Sequence, residues 1–466
     1  MESKSIISRS RRPHCLVLAY PAQGHINPML QFSKLLQQKG IKVTFVTTRF
    51  FCKNLHNKQL PHSIPLETIS DGYDNGGSKE AESPEAYKER FREVGTHTLC
   101  ELIHNHKLDD DEVDCVVYDS FLIWVLDVAK RFGIVGVSFL TQNVGVNSIY
   151  YHVNKGLLKV PLLEKEEICL PGLPSLAPCE MPSFLYEYGD DLVSFDIVVG
   201  QFSNIENADW ILCNTFYELQ QEVADYMTKI WPNLRTIGPT MLYKFLNTNN
   251  GIEDEQDHGF ARFKSEECTK WLDDQPKGSV VFVSFGTMVA LNEEQIEEIA
   301  CGLRDSDSPY LWVVRDSEQS KLPKNFAKKS EKGMVVSWCH QIKVLSHEAI
   351  GCFVTHCGWN STMEALSLGV PLIAIPRWSD QATNAKFIED VWRNGVRAPI
   401  DDEKKGIVRG EALKESIWEM MKSEKGREIK NNAIKWRNLA VMAIHKGGSS
   451  ENNIQEFVDN LIHLKS

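Results

Sequence analysis

The sequence predicts an α/β protein made of two doubly wound halves that face each other across a cleft. The first half begins with four segments in order: an apolar run at 14–20, a loop with Pro and Gly at 21–28, a helical pattern at 29–40 and a β-rich run at 41–48. This order is typical of a βαβ unit in a parallel sheet. A second alternating series starts near Ser279. A length of 466 residues suffices for two or three domains.

Each later element has its own local signal. Asn292 is placed to cap a helix that runs to about Leu303, with Gln295 at the capping-box position. A helix that starts at Asn360 is closed by Gly369. The other predicted strands are 114–120, 134–141, 279–287, 310–315, 334–338, 351–356 and 371–376, and the other helices are 124–133, 380–392 and the region after residue 410.

Two segments lack such periodicity. Residues 159–188 are rich in Pro, Leu and Tyr and are predicted to be long loops that line a site. Residues 244–268 are polar and predict a linker. The predicted organisation is a Rossmann-like domain at 1–243, the linker at 244–268, a second Rossmann-like domain at 269–445, and a last helix at 446–466 that packs back on the first domain.

The composition excludes several classes of protein. Acidic residues number 63 and basic residues 51, a net charge of −12, so we expect no binding to nucleic acid or anionic membranes. The longest uncharged run, 132–154, contains polar side chains that hydrocarbon does not accept, which argues against an integral membrane protein. Twelve scattered cysteines indicate reduced thiols. We therefore expect a cytoplasmic monomer that binds small molecules.

The densest group of polar residues lies at 338–381. A strand ends at His356, a Gly turn follows, and the start of the next helix offers free N–H groups and a dipole that favour a phosphate. Glu364 lies one turn into this helix, where its carboxylate suits a ribose diol. Asp380 and Gln381, at the next strand-to-helix junction, suit sugar hydroxyls. On the residues alone, a nucleotide-sugar site and an ordinary buried helix start both remain open.

The same segment resembles the signature box of the plant uridine-diphosphate-dependent glycosyltransferases of family one. THCGWNS at 355–361, Glu364, GVP at 369–371 and the closing DQ stand where the box has them, whereas Cys339-His340, Met363 and Arg377 depart from its usual residues. The likeness extends to PAQGHINP, YDS, WLDDQPKGS and SVVFVSFGT, and so to nearly the whole chain. The resemblance implies the GT-B fold, UDP-glucose as donor co-substrate, and neither a metal nor a permanently bound cofactor.

The resemblance also implies a role for each donor residue. Trp338 would stack on uracil, and the backbone of Cys339 would bind the edge of that base. In the family, Gln381 usually accompanies glucose rather than galactose. The other residues would hold the ribose (Gln341, Glu364), the diphosphate (Thr287, His356, Asn360, Ser361) and the sugar (Trp359, Trp378, Asp380, Gln381).

His25 and Asp119 form a second constellation, at the ends of strands in the first half. Transfer to a hydroxyl needs a base that takes the proton as the oxygen attacks the anomeric carbon, and imidazole exchanges protons near neutral pH. A buried carboxylate would orient the ring. A structural histidine remains open on the residues alone. The resemblance implies that His25 is the base, that Asp119 assists it, and that an α-linked donor gives a β-glucoside.

The acceptor pocket is expected among the loops of the first half, which are apolar and aromatic with few charges and so suit a flat hydrophobic molecule. The branch of the family that this chain resembles acts on small phenolic acids, terpenoids and steroids. We expect O-glucosides of steroid, triterpenoid or phenolic hydroxyls, with carboxyl groups next. The candidate acceptor residues are Ala22, Phe121, Gln142, Phe184 and Tyr186.

Other interpretations of the sequence are weaker. A nucleotide-sugar-binding protein of the same fold without activity is disfavoured because the catalytic and sugar residues named above are all present. A doubly wound epimerase or dehydrogenase is disfavoured because the GxGxxG fingerprint is absent. The spacing of Cys352, His356 and Cys357 fits none of the usual zinc patterns, so we expect no metal there.

Overall fold

The computed structural model describes residues 11–54, 64–109, 111–163, 167–241, 260–324, 326, 332–401 and 406–464. In these ranges the chain forms one sheet of seven strands and one of six. The first sheet contains β1 His14–Leu18, β2 Lys42–Thr48, β3 Leu66–Ile69, β4 Cys115–Asp119, β5 Val135–Leu140, β6 Trp210–Cys213 and β7 Leu234–Thr236. The second contains β8 Val280–Ser284, β9 Tyr310–Val313, β10 Gly333–Val336, β11 Ile350–Thr355, β12 Leu372–Ala374 and β13 Gly395–Arg397.

The six-stranded sheet has the same topology as the first six strands of the seven-stranded sheet. Their strand orders are β3-β2-β1-β4-β5-β6-β7 and β10-β9-β8-β11-β12-β13, and all neighbouring strands are parallel. The order reverses between β1 and β4 in one sheet and between β8 and β11 in the other. Ligands of doubly wound folds bind at the carboxyl ends of strands at such reversals. The prediction of two doubly wound halves is confirmed.

Helices cover both faces of each sheet, which explains why β1, β4, β8 and β11 are buried along their whole length. The helices are α1 Gln23–Gln38, α2 Arg49–Asn54, α3 Pro84–Leu108, α4 Trp124–Phe132, α5 Val144–Asn154, α6 Ser183–Tyr186, α7 Leu192–Gly200, α8 Gln221–Ile230, α9 Phe260–Asp273, α10 Glu293–Asp305, α11 Gln341–Leu345, α12 Trp359–Leu368, α13 Gln381–Lys386, α14 Gly410–Lys422, α15 Glu424–Ile444 and α16 Ser449–His463. Within the described ranges, no helix is long and apolar enough to cross a membrane.

The last helix, α16, lies against the first sheet although it follows the second in sequence. Phe457 stacks on Phe32 of α1 with ring centroids 6.4 Å apart. Arg235 in β7 donates to both carboxylate oxygens of Glu456, at 2.7 and 2.8 Å. Apolar burial and a bidentate ion pair therefore hold the end of the described chain on the first half.

Three local expectations differ from the structure. Asn292 caps α10 as predicted, but the side chain of Gln295 bonds to both backbone groups of Val408 instead of closing a capping box. The helix expected at 380–392 is α13 followed by a π-helical turn, Phe387–Val391. Much of the predicted linker lies outside the described residues, and its last part is helical because α9 begins at Phe260.

Candidate active site

The first half places His25 beside Asp119 at the reversal of strand order. His25 lies in the first turn of α1, just after β1, and Asp119 is the last residue of β4. The Nδ1 atom of His25 is 2.7 Å from Asp119 Oδ2, and the other oxygen, Oδ1, accepts a hydrogen bond from the Phe121 N–H at 3.1 Å. Because the carboxylate is fully buried and both its oxygens accept bonds, the imidazole orientation is fixed.

The remaining ring nitrogen of His25 is open. Its Nε2 atom has no hydrogen-bond partner in the part of the chain that the structure describes, and 18% of the side chain is exposed. Thr141 Oγ1 lies 3.3 Å from Nδ1. Tyr20 and Phe121 flank the ring, with centroids 5.4 and 4.7 Å from it. The open nitrogen of His25 therefore belongs to a ring that is flanked by two aromatic side chains.

The second half presents the turn between β11 and α12 at the equivalent reversal. Cys357 adopts a positive φ of 65°, and Gly358 precedes the first turn of α12. The buried His356 ring lies between two glycines, since a Cβ on Gly286 or Gly358 would come within 2.8 or 2.5 Å of it. Burial lowers the pKa of His356 to about 4, so the ring is neutral at pH 7. A neutral donor and the helix dipole suit a diphosphate.

A hydrogen-bonded set follows along α12. Gln341, at the start of α11, donates through Nε2 to Glu364 Oε2 at 2.7 Å and to Ser361 Oγ at 2.9 Å. Desolvation raises the pKa of Glu364 to about 7, and the bond from Gln341 opposes this shift. Within the described ranges the other carboxylate oxygen, Oε1, has no hydrogen-bond partner, so it can accept from a hydroxyl. Trp338, 37% exposed, lies just beyond β10.

The next junction holds the residues predicted for the sugar. Gln381 Oε1 accepts from the N–H groups of Arg377 and Trp378 at 2.9 and 3.0 Å, which turns its Nε2 donor away from them. Asp380 is buried, which raises its pKa to about 6, while a bond from Asn384 and the charge of His25 lower it. His25, in the first half, is thus close enough to Asp380, in the second, for its charge to act on that carboxyl group.

Trp359 and Asn360 make their side-chain contacts with the first half. The indole of Trp359 is buried and donates to the Asn214 carbonyl at 2.8 Å, so any contact of this residue with a sugar falls to its backbone. Asn360 Nδ2 donates to the Gly24 carbonyl at 2.7 Å, one residue before His25. The helix start expected to hold phosphate thus touches the first turn of α1, which carries His25.

The loop after β8 carries Thr287, which is exposed. Arg315 donates to the Thr287 carbonyl at 2.5 Å and to the Val289 carbonyl, while Glu318 pairs with Arg315 and accepts from the Leu291 N–H at 2.9 Å. No sequence motif pointed to Arg315 or Glu318, since both lie outside the segments that resemble the family. They fix the path of the loop that presents Thr287.

The predicted acceptor residues fall into different environments. Phe121 contacts the His25 ring, and Ala22 is the N-cap residue of α1. Phe184 is buried against Trp378, with ring centroids 5.2 Å apart, whereas Tyr186 is half exposed. Gln142 Oε1 is buried without a partner in the described ranges. The contact between Phe184 and Trp378 thus joins the expected acceptor loop to the segment predicted to bind the sugar.

Comparisons with known proteins agree with this architecture. Residues 15–417 match the family model described as UDP-glucoronosyl and UDP-glucosyl transferase. The chain is 44% identical over 459 residues to the flavonol 7-O-beta-glucosyltransferase UGT74F1 of Arabidopsis thaliana, covering 97% of this chain and 98% of that protein. It is 42% identical over 449 residues to mogroside I-E synthase of Siraitia grosvenorii, covering 96% and 97%.

The fold is also that of a solved relative. The crystal structure of Os79 from O. sativa in complex with U2F and trichothecene has a TM-score of 0.88 and 35% identity, covering 96% of this chain and 100% of that one. The expected family and the GT-B fold are thereby confirmed. The chain belongs to the UDP-glucosyl transferase family and is a UDP-glycosyltransferase that takes a UDP-sugar as its donor co-substrate.

Proposed function

We propose that this enzyme is an inverting UDP-glucose-dependent glucosyltransferase that forms β-O-glucosides of hydrophobic plant metabolites. The observation that carries the proposal is the 2.7 Å contact between His25 Nδ1 and Asp119 Oδ2, which leaves Nε2 without a hydrogen-bond partner among the described residues. A base oriented by a buried carboxylate next to the sugar-binding segment is what direct displacement at the anomeric carbon requires.

The proposed reaction needs one displacement. The acceptor hydroxyl gives its proton to His25 Nε2 as its oxygen bonds to the anomeric carbon, and the bond from that carbon to the UDP oxygen breaks with its electron pair leaving on UDP. The Asp119 carboxylate stabilises the imidazolium that forms. Attack opposite to the leaving group converts the α-linkage of the donor into a β-linkage in the product.

The donor is proposed to lie along α12 and the start of α13. Trp338 stacks on uracil, Glu364 accepts from the ribose, and the helix start with His356 binds the diphosphate. Asp380 and Gln381 bind the glucose hydroxyls. The fixed orientation of the Gln381 amide supports this assignment, because its Nε2 donor is directed away from the 377–378 backbone.

The acceptor is proposed to be a steroid, triterpenoid or phenolic hydroxyl, with a carboxyl group as the next choice. Tyr20 and Phe121 beside His25 support a flat apolar molecule. The unpartnered Gln142 Oε1 supports one polar contact from its hydroxyls. The names of the relatives point the same way, since they act on a flavonol and in mogroside I-E synthesis.

The test is UDP release from UDP-glucose with a panel of flavonols, triterpenoids, steroids and phenolic acids, followed by mass spectrometry for a hexose adduct. Proton NMR of the anomeric signal reports the linkage, and mild alkali separates esters from O-glucosides. A β-linked hexose adduct supports the proposal, and an α-linked one contradicts inversion. Binding of UDP-glucose without transfer to any panel member would favour the binding protein without activity.

A further inference from the structure

Two buried asparagines join the sugar-binding segment to the first half of the molecule. Asn384 in α13 donates through Nδ2 to Asp380 Oδ2 at 2.8 Å and to the Cys357 carbonyl at 2.9 Å. Its Oδ1 accepts from Nδ2 of Asn143 at 2.6 Å. Asn143 is the N-cap residue of α5 in the first half, and neither asparagine side chain reaches solvent.

The orientation of both amides is forced by backbone groups at the two ends of this chain of bonds. Asn143 Oδ1 must face the Val146 N–H, 2.8 Å away, which only donates. Its Nδ2 therefore faces Asn384, whose facing atom must be Oδ1. The Nδ2 of Asn384 then points at the Cys357 carbonyl, which only accepts, and at Asp380. Flipping either amide would oppose like groups in a buried site, which is costly.

We propose that Asn384 is a positioning residue that fixes the Asp380 carboxylate for the donor sugar and makes its position depend on Asn143 in the other half. The inference rests on the proposed function, because it takes Asp380 to bind glucose. Since a buried polar group tolerates few alternative arrangements, a change at Asn143 is transmitted to Asp380 through Asn384. Sugar binding then requires that the two halves are docked.

A second contact holds the same segment against the first half. The Ser183 N–H donates to the Ser379 carbonyl at 2.8 Å, and the Ser379 N–H donates to Ser183 Oγ at 2.8 Å. Thr383 Oγ1 donates to the Glu180 carbonyl at 2.8 Å. Ser379, Thr383 and Asn384 are thus each hydrogen-bonded to the first half, and these bonds together hold the asparagine pair in position.

The test uses two substitutions at Asn143, which lies outside the half that carries Asp380. Asn143→Asp keeps an oxygen for the Val146 N–H but opposes a second oxygen to Asn384 Oδ1. Asn143→Ser keeps the cap and is too short to reach Asn384. Isothermal titration measures the dissociation constants of UDP-glucose and of UDP without any acceptor. We expect the ratio of the two constants to rise about tenfold in each variant, with that for UDP nearly unchanged.

Asn154→Asp is the matched control, because it makes the same substitution at the other end of α5. Among the described residues, Asn154 Nδ2 donates to the Val199 carbonyl alone. Its ratio should stay at the wild-type value. Equal weakening of UDP and UDP-glucose by the Asn143 variants, or no change in either, would overturn the proposal. Asp380→Asn tests the underlying function separately: an unchanged ratio there would show that Asp380 does not bind the sugar.

Discussion

Two histidines lie at opposite ends of the first strand, and each is paired with an aspartate. His14 is the first residue of β1, and its Nδ1 lies 3.2 Å from the Asp111 carbonyl and 3.5 Å from Asp111 Oδ1. His25 follows the other end of the strand and lies 2.7 Å from Asp119. The same two residue types are thus placed at the amino and the carboxyl ends of the strands of one sheet.

The environments of the two pairs differ in ways that decide what each can do. His14 is inaccessible, its Nε2 lies 2.9 Å from Thr44 Oγ1, and burial lowers its pKa to about 4. His25 is partly exposed and keeps Nε2 open. Only the His25 pair lies at the carboxyl ends of the strands, where ligands reach a doubly wound sheet. The position of the pair in the fold, rather than the residue types, therefore decides whether a histidine–aspartate pair is accessible to a ligand or buried.

The largest effect is expected for His25→Ala. Loss of the base should lower the transfer rate to alcohols by about 10² to 10⁴-fold and leave binding of UDP-glucose nearly unchanged. His14→Gln is the comparison, and it should retain the wild-type rate. Steady-state kinetics with a transferable acceptor and titration with UDP-glucose measure both quantities. A normal rate in the alanine variant would remove His25 as the base.

Asp119→Asn should have the next largest effect. An asparagine amide that donates to Nδ1 favours the tautomer with its proton on Nε2, which cannot accept a proton from the hydroxyl. We expect the rate to fall by about a hundredfold, with little change in thermal stability because the side chain keeps its volume. The outcome that contradicts this assignment is a rate within twofold of the wild type at a lowered melting temperature.

The contrast also shows how far the sequence could lead. Short apolar runs followed by Gly- or Pro-containing turns predicted both doubly wound sheets. Asp119, at the end of β4, and His25, at the start of the helix after β1, could be placed at the carboxyl ends of the strands. The motif at 338–381 predicted the donor segment. In each case the signal lies within a few consecutive residues, so periodicity and spacing suffice to find it.

Pairings between distant segments carried no such signal. Asn143 and Asn384 are 241 positions apart, and Gln295 is hydrogen-bonded to Val408, which lies 113 positions away. The spacing of Gln295 from Asn292 suggested a local capping box, but the buried backbone of Val408 offered both a donor and an acceptor. The sequence analysis did not single out Asn384, four residues after Asp380, because its partner Asn143 depends on how the two halves dock.

The His14 pair should appear in the pH dependence of stability. Because its pKa is lower in the folded protein than the ordinary 6.5, the unfolded chain binds more protons below that pH. Stability is therefore retained above pH 6.5 and falls as the pH drops toward 4, by about 2 kcal/mol at pH 5. Urea titrations at several pH values measure this free energy of unfolding. In the His14→Gln variant it should fall less between pH 6.5 and pH 4 than in the wild type. Parallel curves for both proteins would contradict it.

The smallest effect is expected for Lys42→Met. Lys42 pairs with Asp111, and its charge lowers the pKa of His14. Both partners are partly exposed, so loss of the pair should cost less than about 1 kcal/mol at pH 7. Without the ammonium group the pKa of His14 should rise toward 6.5, which weakens the loss of stability in acid. Lys42 lies at the opposite end of the strands from His25, so the transfer rate should not change. A slower enzyme would show that the two ends of the sheet are coupled.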